Sequence, residues 1–429
     1  MSAPSESTSY LKLRLWLASN GGGFHSNARF HEDDSGSHIV ATSDLGQDAV
    51  VVECSFKLVI TKAFAKQAVL HILQGDPTSH VHQLWTERQW ICTYIALHWI
   101  LGPEEKRQEM HATHSLVHFE YLDTLPTSDQ LRTPLHFSQP ELEIFKGTNL
   151  YNATLDRERE WKEEWQSCLS LVSQANGAAG LQFEWSVRPE YLWRRNMLMV
   201  LQGAATYVSS RAFPSSLLAE TPSLMATPFT GPILIPGVDS LNHKRGEPVS
   251  WLVNNPTDNT SQPKISLVLH SSAVSGQELF NNYGPKPNSE LILGYGFSIP
   301  QNPDDTIILK IGGIGGKKWE IGRSGQRVDG LWKEILCTLL EAEDSEPDYE
   351  DVLDASGMLQ EMVQALIERL PGGQVPNDAQ IRPEVITMYL HYLEGQHDIL
   401  RSLMVFAGER EQEAIEMARQ KGIDLVLED

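Results

Sequence analysis

The chain has 429 residues, 41% hydrophobic and 21% charged, a composition that suits a folded protein of two or three domains. Its 34 basic and 56 acidic residues leave a formal net charge of −22, which repels phosphate backbones and argues against direct nucleic-acid binding; the same charge reads either as attraction for a basic protein or peptide or as simple solubility. The four cysteines, Cys54, Cys92, Cys168 and Cys337, include no CxxC pair; this excludes a zinc knot or disulfide framework and fits a reducing cytoplasmic or nuclear compartment.

Taken in chain order, the N-terminal segment MSAPSESTSYLKLRLWLAS lacks the basic stretch and continuous apolar run of a secretory signal, and its Leu/Trp spacing predicts a first amphipathic helix. Residues 38–61 carry β-rich runs broken at Asp44-Leu-Gly and Gln47-Asp, which predicts two or three small strands. WTERQWICTYIALHWIL (85–101) has apolar residues recurring every three to four and predicts a buried helix. The pattern stays helical to about residue 213, with loops expected near Pro126, Pro134 and Gly177–Gly180. Pro189 is placed in the first turn of a helix with Leu192, Met197, Val200, Leu201 and Ala204 inward.

Residues 226–310 return to short strands, ILIPGV, SWLV, ISLVLH, ELFNNY and TIILKI, and a further strand-rich piece ends after GGIGG (312–316). Beyond Arg327 three helices are expected: LWKEILCTLLEAE, MLQEMVQALIERL, and Pro383 to about Lys421 with Ile386, Leu390, Leu393, Leu400 and Met404 on its inner stripe. Leu370-Pro-Gly-Gly stops the second of them. The acidic run Glu341–Asp354 reads first as a solvated loop and second as a dock for a basic substrate. No apolar run reaches the roughly 18 residues a membrane span needs. The sequons at Asn152 and Asn259 are expected to be chance matches in a reducing compartment.

Several familiar sites are missing: there is no GxxxxGK[ST], no strand–GxGxxG–helix, no GxSxG and no HExxH. Gly21-Gly22-Gly23 reads as a turn. His111, His114 and His118 can share a helix face, but without a carboxylate partner they read as surface or core histidines, and no metal site is expected. What remains is the β segment at 234–297. Leu234-Ile-Pro-Gly-Val238 runs into Asp239-Ser-Leu-Asn242-His243, polar residues of a density that either caps a turn or builds a site. GQELFNNYG and NSELILGYGF then follow, two strand-like pieces that each end in Tyr-Gly and place Tyr283 and Tyr295 at element termini.

These pieces resemble the SET-domain protein lysine methyltransferases, and within them the branch similar to Rubisco large-subunit methyltransferase and the fungal ribosomal-protein methyltransferases. The matching residues are D-x-x-N-H (Asp239, Asn242, His243), the Gly-Gln segment GQELFNNYG that brings in Tyr283, and N-S-E-L-x-x-x-Y-G-F from Asn288 to Phe297. Ser210-Arg211-Ala212-Phe213 matches the S-R-x-F that closes the helical insert. Y-L-D-T-L-P (121–126) matches the insert's Y-x-x-x-L-P, and E-G-Q-H-D-I-L (394–400) resembles the helix of the branch's substrate-binding domain.

The resemblance implies an α+β fold. In it, a discontinuous knotted β SET domain over 1–316 (1–65 and 206–316, with a helical insert at 66–205) precedes an all-α C-terminal domain at 317–429. It implies S-adenosyl-L-methionine as cofactor, held by Gly36, Ser210, Arg211, Asp239, Asn242 and His243, with Tyr283 as the catalytic tyrosine. The substrate would be a lysine of a basic, non-histone protein, and nothing in the resemblance sets an oligomeric state. The chemistry is consistent with those residues: a guanidinium binds a carboxylate bidentately, and methyl transfer needs alignment and electronegative oxygens more than acid–base machinery. Deprotonating a lysine of pKa about 10.4 at neutral pH costs about 4 kcal/mol, which an aromatic channel lined by Tyr295, Phe297 and Trp251 would lower by desolvating the ammonium.

One departure stands out. The family's G-x-G followed by apolar-V-A aligns here with Ser35-Gly36-Ser37-His38-Ile39-Val40-Ala41, so His38 replaces the second glycine. This leaves open a shifted loop, a lower cofactor affinity, or a protein-binding module that keeps the fold without turnover. A methyltransferase for another side chain, such as histidine, is the third reading.

Overall fold

The computed structural model describes residues 6–33, 36–73, 85–101, 115–127, 130–179, 190–225, 227–254, 262–311, 316–340, 346–375 and 380–425. They fold as two compact units, one of Met1–Leu131 with Arg159–Pro285, the other of Arg132–Glu158 with Lys286–Asp429.

In the first unit, α1 (Thr8–Ser19) buries Tyr10, Leu13 and Leu17. Strands β1 (Gly23–Phe24), β2 (Ala28–Asp33), β3 (Gly36–Ala41) and β4 (Ala49–Ser55) follow. The helical stretch contains α2 (Lys62–Leu73), α3 (Glu87–Leu101) and α4 (Phe119–Leu122). α5 (Gln139–Glu143) belongs to the second unit, as do the first turns of α6 (Asn149–Ala179), and α7 (Glu190–Arg211) then leads to β5 (Phe213–Pro214), β6 (Pro232–Ile233), β7 (Val249–Asn254), β8 (Lys264–Leu269) and β9 (Glu278–Leu279).

Three small sheets result, in the orders β1-β4-β8-β7, β2-β3-β9 and β5-β6. In the two larger sheets strands far apart in sequence pair, β4 with β8 and β3 with β9, each ladder satisfying backbone N–H and C=O groups that would otherwise be left without partners. Val51, Val52, Cys54, Ile265 and Leu267 are buried to within 1% of complete, and helix α3 contributes Trp90, Ile91, Tyr94 and Ile95 to the helical core.

The second unit holds α8 (Asn288–Tyr295), the hairpin β10 (Thr306–Ile311)–β11 (Lys317–Gly322), and helices α9 (Val328–Leu339), α10 (Tyr349–Arg369) and α11 (Pro383–Gln420). One apolar cluster joins Ile307, Ile321, Leu331, Ile335, Leu359, Val363, Ile399 and Leu403, and a second joins Phe145, Ile292, Tyr389 and Tyr392. No helix among the described residues is long and apolar enough to cross a membrane.

Several local expectations are corrected. NSELILGYGF forms no strand. Asn288–Tyr295 is a helix with Leu291 and Ile292 buried, closed by Gly296 at φ 79°, where a Cβ would meet the Arg132 carbonyl carbon at 2.7 Å. Apolar neighbours three and four apart outweigh the β-prone Ile and Tyr here. ELFNNY contributes only Glu278–Leu279 to a ladder.

The loop expected near Gly177 is helix through Ala179, whereas Gly180 and Pro189 lie outside the described residues. Of the α7 stripe, Leu201 and Ala204 are buried, and the side chains of Leu192, Met197 and Val200 are outside the described set. Leu390 on α11 is 47% exposed. Leu393 and Leu400 are buried as expected, and Val385, Met388, Tyr389, Tyr392 and Gln396 complete the inner stripe. Within the acidic run, Asp348 caps α10 in a capping box with Asp351, so Asp348, Glu350 and Asp351 complement the helix dipole rather than form a loop. GGIGG (312–316) falls largely on residues outside the described set, as do His111 and His114. His118 is fully buried, with Nε2 3.0 Å from the Leu58 carbonyl and Nδ1 2.5 Å from Tyr94 Oη.

Candidate active site

The site of the first unit is built on a turn that only glycine can make. Gly237 has φ 83°, and a Cβ there would sit 2.8 Å from Leu17 Cδ1 and 3.3 Å from Phe24 and Val52. The turn opens a short 3₁₀ segment, Val238–Ser240, which carries Asp239 into the interior at 5% exposure. Tyr121, 118 positions earlier, donates its hydroxyl to Asp239 Oδ2 at 2.5 Å. Arg211, the last residue of α7, donates Nη1 to the Asp239 carbonyl at 2.9 Å and lies 3.5 Å from Oδ2. Asp239 Oδ1 is buried and has no hydrogen-bond partner among the described residues.

Burial pushes the Asp239 carboxyl up from its ordinary range, opposed by Arg211 and Tyr121. Burial also raises Tyr121, reinforced by the carboxylate. For Arg211, burial lowers the pKa, but Asp239 together with the Tyr121, Tyr283 and Tyr207 phenols outweighs it, so the guanidinium stays charged.

Beyond Leu241 the chain passes beside the segment that follows β9. Asn281 N donates to the Asn242 carbonyl at 2.7 Å and Lys244 N to the Asn281 carbonyl at 2.9 Å, a parallel bridge between His243 and Asn281. The threading of the Asn242-His243 segment beside the Tyr283 segment is thus present. It brings the His243 and Tyr283 rings to a stack, centroids 5.0 Å apart and 20° between planes. Tyr283 N donates to His243 Nδ1 at 3.0 Å, which leaves Nε2 to carry the proton of the neutral ring. The Tyr283 hydroxyl donates to the Leu241 carbonyl at 2.8 Å, fixing its phenol oxygen. Asn242 is exposed and donates Nδ2 to Glu278 Oε1 at 3.0 Å; Glu278 itself pairs with Val40 of β3.

The other predicted residues are placed as follows. Gly36 is exposed at the start of β3, and the His38 ring packs against His31 and Asp33 on the hairpin. Ser210 donates its hydroxyl to the Thr206 carbonyl of its own helix at 2.8 Å. Trp251 in β7 meets Phe213 edge-on at 6.4 Å, and its indole nitrogen is buried without a partner among the described residues. Tyr295 and Phe297 lie in the second unit, their rings 6.2 Å apart and steeply inclined. Burial raises the Tyr295 phenol, and Lys286 lies over its ring at 5.6 Å.

The structure therefore gathers Arg211, Asp239, Asn242, His243 and Tyr283 in one place. Three residues were not singled out from sequence: Tyr121, Glu278 and Gly237. Tyr121 opens the insert's Tyr-x-x-x-Leu-Pro motif, the one signal that pointed to it.

No family model matches the chain. It is 31% identical over 306 residues to ribosomal lysine N-methyltransferase set10 of Schizosaccharomyces pombe, which covers 70% of this chain and 48% of that protein. It is 27% identical over 243 residues to protein-lysine N-methyltransferase EFM1 of Saccharomyces cerevisiae, covering 48% of this chain and 38% of that protein. The chain thus spans about half, or less, of the length of these relatives. Among solved structures, the SET domain of LSMT bound to methyllysine and AdoHcy superposes with a TM-score of 0.69 at 16% identity, covering 99% of this chain and 98% of that one. Rubisco LSMT bound to AdoMet gives 0.68 at 16% identity over 99% and 98%. The chain has the SET-domain fold, an α+β architecture with a helical C-terminal region.

Proposed function

We propose that this SET-fold chain, similar to the fungal ribosomal lysine methyltransferases, transfers a methyl group from S-adenosyl-L-methionine to a lysine side chain of a basic, non-histone protein such as a ribosomal protein or translation factor. The observation that carries the reading is the threaded His243–Asn281 bridge, which stacks His243 on Tyr283 and anchors the Tyr283 hydroxyl on the Leu241 carbonyl. A phenol held at both backbone and hydroxyl is a preorganised oxygen, the element an in-line displacement at carbon needs most.

The donor set fits the cofactor. Arg211, about a quarter exposed, offers its guanidinium to a carboxylate while Asp239 fixes its orientation. The partnerless Asp239 Oδ1 suits an ammonium, and Asn242 and His243 supply amide and imidazole groups for the adenine. When bound, S-adenosylmethionine supplies the electrophilic methyl on its sulfonium. Gly36 and Ser210 are assigned to the cofactor's surroundings through their backbone. Tyr295 and Phe297, whose rings meet in the second unit, are assigned to stripping water from the lysine ammonium and favouring its neutral form. By function we assign residues 1–316, with the insert at 66–205, to a SET module and 317–429 to a substrate-binding helical domain, although the compact units group 132–158 and 286–316 with the C-terminal helices. The acidic surplus suits a basic partner in the cytoplasm or nucleus.

The test is mass spectrometry of cell extract incubated with the purified chain and methyl-labelled cofactor. Label on the ε-nitrogen of a lysine is expected. Label on histidine would move the reading to another acceptor, and absence of any label would favour a binding module, the outcome toward which His38 points.

A further inference from the structure

The antiparallel pairing of β2 and β3 sets Phe30 opposite Ile39 on the buried face of the hairpin. The other face sets His31 directly opposite His38, with Asp33 two residues further along β2. Directly opposed side chains in such a ladder have Cβ atoms about 5 Å apart, and diagonal ones about 7 Å, within reach of one small ion. The His31 and His38 rings are 5.0 Å apart and 68° inclined. Asp33 Oδ2 is 3.9 Å from His38 Nδ1, and a ligand atom from each of the three residues lies within 4.8 Å of the others. Asp33 stands opposite Gly36, where even a Cβ would meet nothing within 4 Å, so its carboxylate has room to lean toward the imidazoles.

We propose that His31, Asp33 and His38 form a binding site for a divalent transition-metal ion of the zinc class, held by two imidazole nitrogens and one carboxylate oxygen. Ligand bonds of about 2.0–2.2 Å place tetrahedral donors about 3.4 Å apart, a closure that side-chain rotation supplies without moving the ladder. Two imidazoles and a single carboxylate select zinc, cobalt or nickel over calcium or magnesium, which require mostly oxygen. His38, only 9% exposed, is the fixed ligand, while Asp33, with 46% of its side chain exposed, opens the site to solvent and leaves a coordination position for water. The residue that breaks the family's glycine pattern thereby acquires a chemical role of its own. The proposal is independent of methyl transfer.

The test uses the full chain, stripped with chelator and dialysed. Calorimetry with zinc chloride and absorption spectroscopy with cobalt(II) are run on wild type, His38→Gly, His31→Ala, Asp33→Asn and the distant control His397→Ala. Wild type and control are expected to bind one equivalent and show the visible bands of tetrahedral cobalt. Each hairpin variant should weaken binding by about tenfold or more. The conservative Asp33→Asn should keep the wild-type unfolding midpoint without metal, which separates ligand loss from misfolding. No binding by wild type, or one equivalent retained unchanged in all three hairpin variants, overturns the proposal.

Discussion

Asp239 shows how one residue collects chemistry that the chain keeps far apart. Its carboxylate meets Tyr121 from the helical insert and Arg211 from the end of α7, and its second oxygen has no partner among the described residues. A buried charge held by two donors is sensitive to the loss of either. Tyr121→Phe is therefore expected to cost about 1–3 kcal/mol of stability, read as a lower urea midpoint. It should also weaken S-adenosylmethionine binding severalfold, because Arg211 loses part of the frame that orients it. Unchanged stability together with unchanged binding would remove Tyr121 from the site. At this scale the sequence was informative where residues sit in short polar motifs: Asp239, Asn242, His243 and Tyr283 could all be picked out. It was silent on Glu278, because a half-buried glutamate has no signature until its partner Asn242 is placed beside it.

At the scale of elements, the turn at Gly237 carries the most consequence. Its positive φ and the close approach of Leu17, Phe24 and Val52 leave no space for a side chain. Gly237→Ala is expected to destabilise the first unit by about 2–4 kcal/mol, combining left-handed backbone strain with overpacking. Asp239 follows two residues later, so activity should fall further than the unfolded fraction explains. Circular dichroism melts alongside turnover at a temperature where both proteins are folded separate the two effects. Elements were legible from sequence where periodicity ran long, as in α1, α3 and the three C-terminal helices. They were misread where it ran short: eight residues of NSELILGY satisfy a strand and a helix equally until the packing of Leu291 and Ile292 decides.

For the molecule as a whole, acid stability follows from histidines buried in the neutral state. Burial lowers His118 to about 4, and burial aided by the Arg382 guanidinium lowers His136 to about 4. A depressed folded pKa contributes stability that is present above the unfolded value of about 6.5 and lost as pH falls toward 4. For the fully buried His118 this amounts to about 3 kcal/mol. Asp305 runs the other way: burial raises it to about 6, so its contribution is present at low pH and lost as pH rises through 6. Urea midpoints should fall between about pH 6.5 and 4 in wild type. His118→Gln should flatten that slope in the first unit, and an unchanged slope would contradict the assignment.

The pairing of distant strands was invisible in the sequence. Short strands carry no partner label, and only the resemblance indicated that Asn242-His243 would be threaded beside the segment leading to Tyr283. That threading puts one oxygen, the Tyr283 phenol, at the centre of the proposed chemistry. The most direct test compares Tyr283→Phe with wild type in two readouts: calorimetric affinity for S-adenosylmethionine and the rate of methyl transfer to the lysine substrate. The account predicts affinity within a few-fold of wild type and a rate lower by about 10²–10³-fold. A variant that transfers methyl groups at the wild-type rate would contradict it.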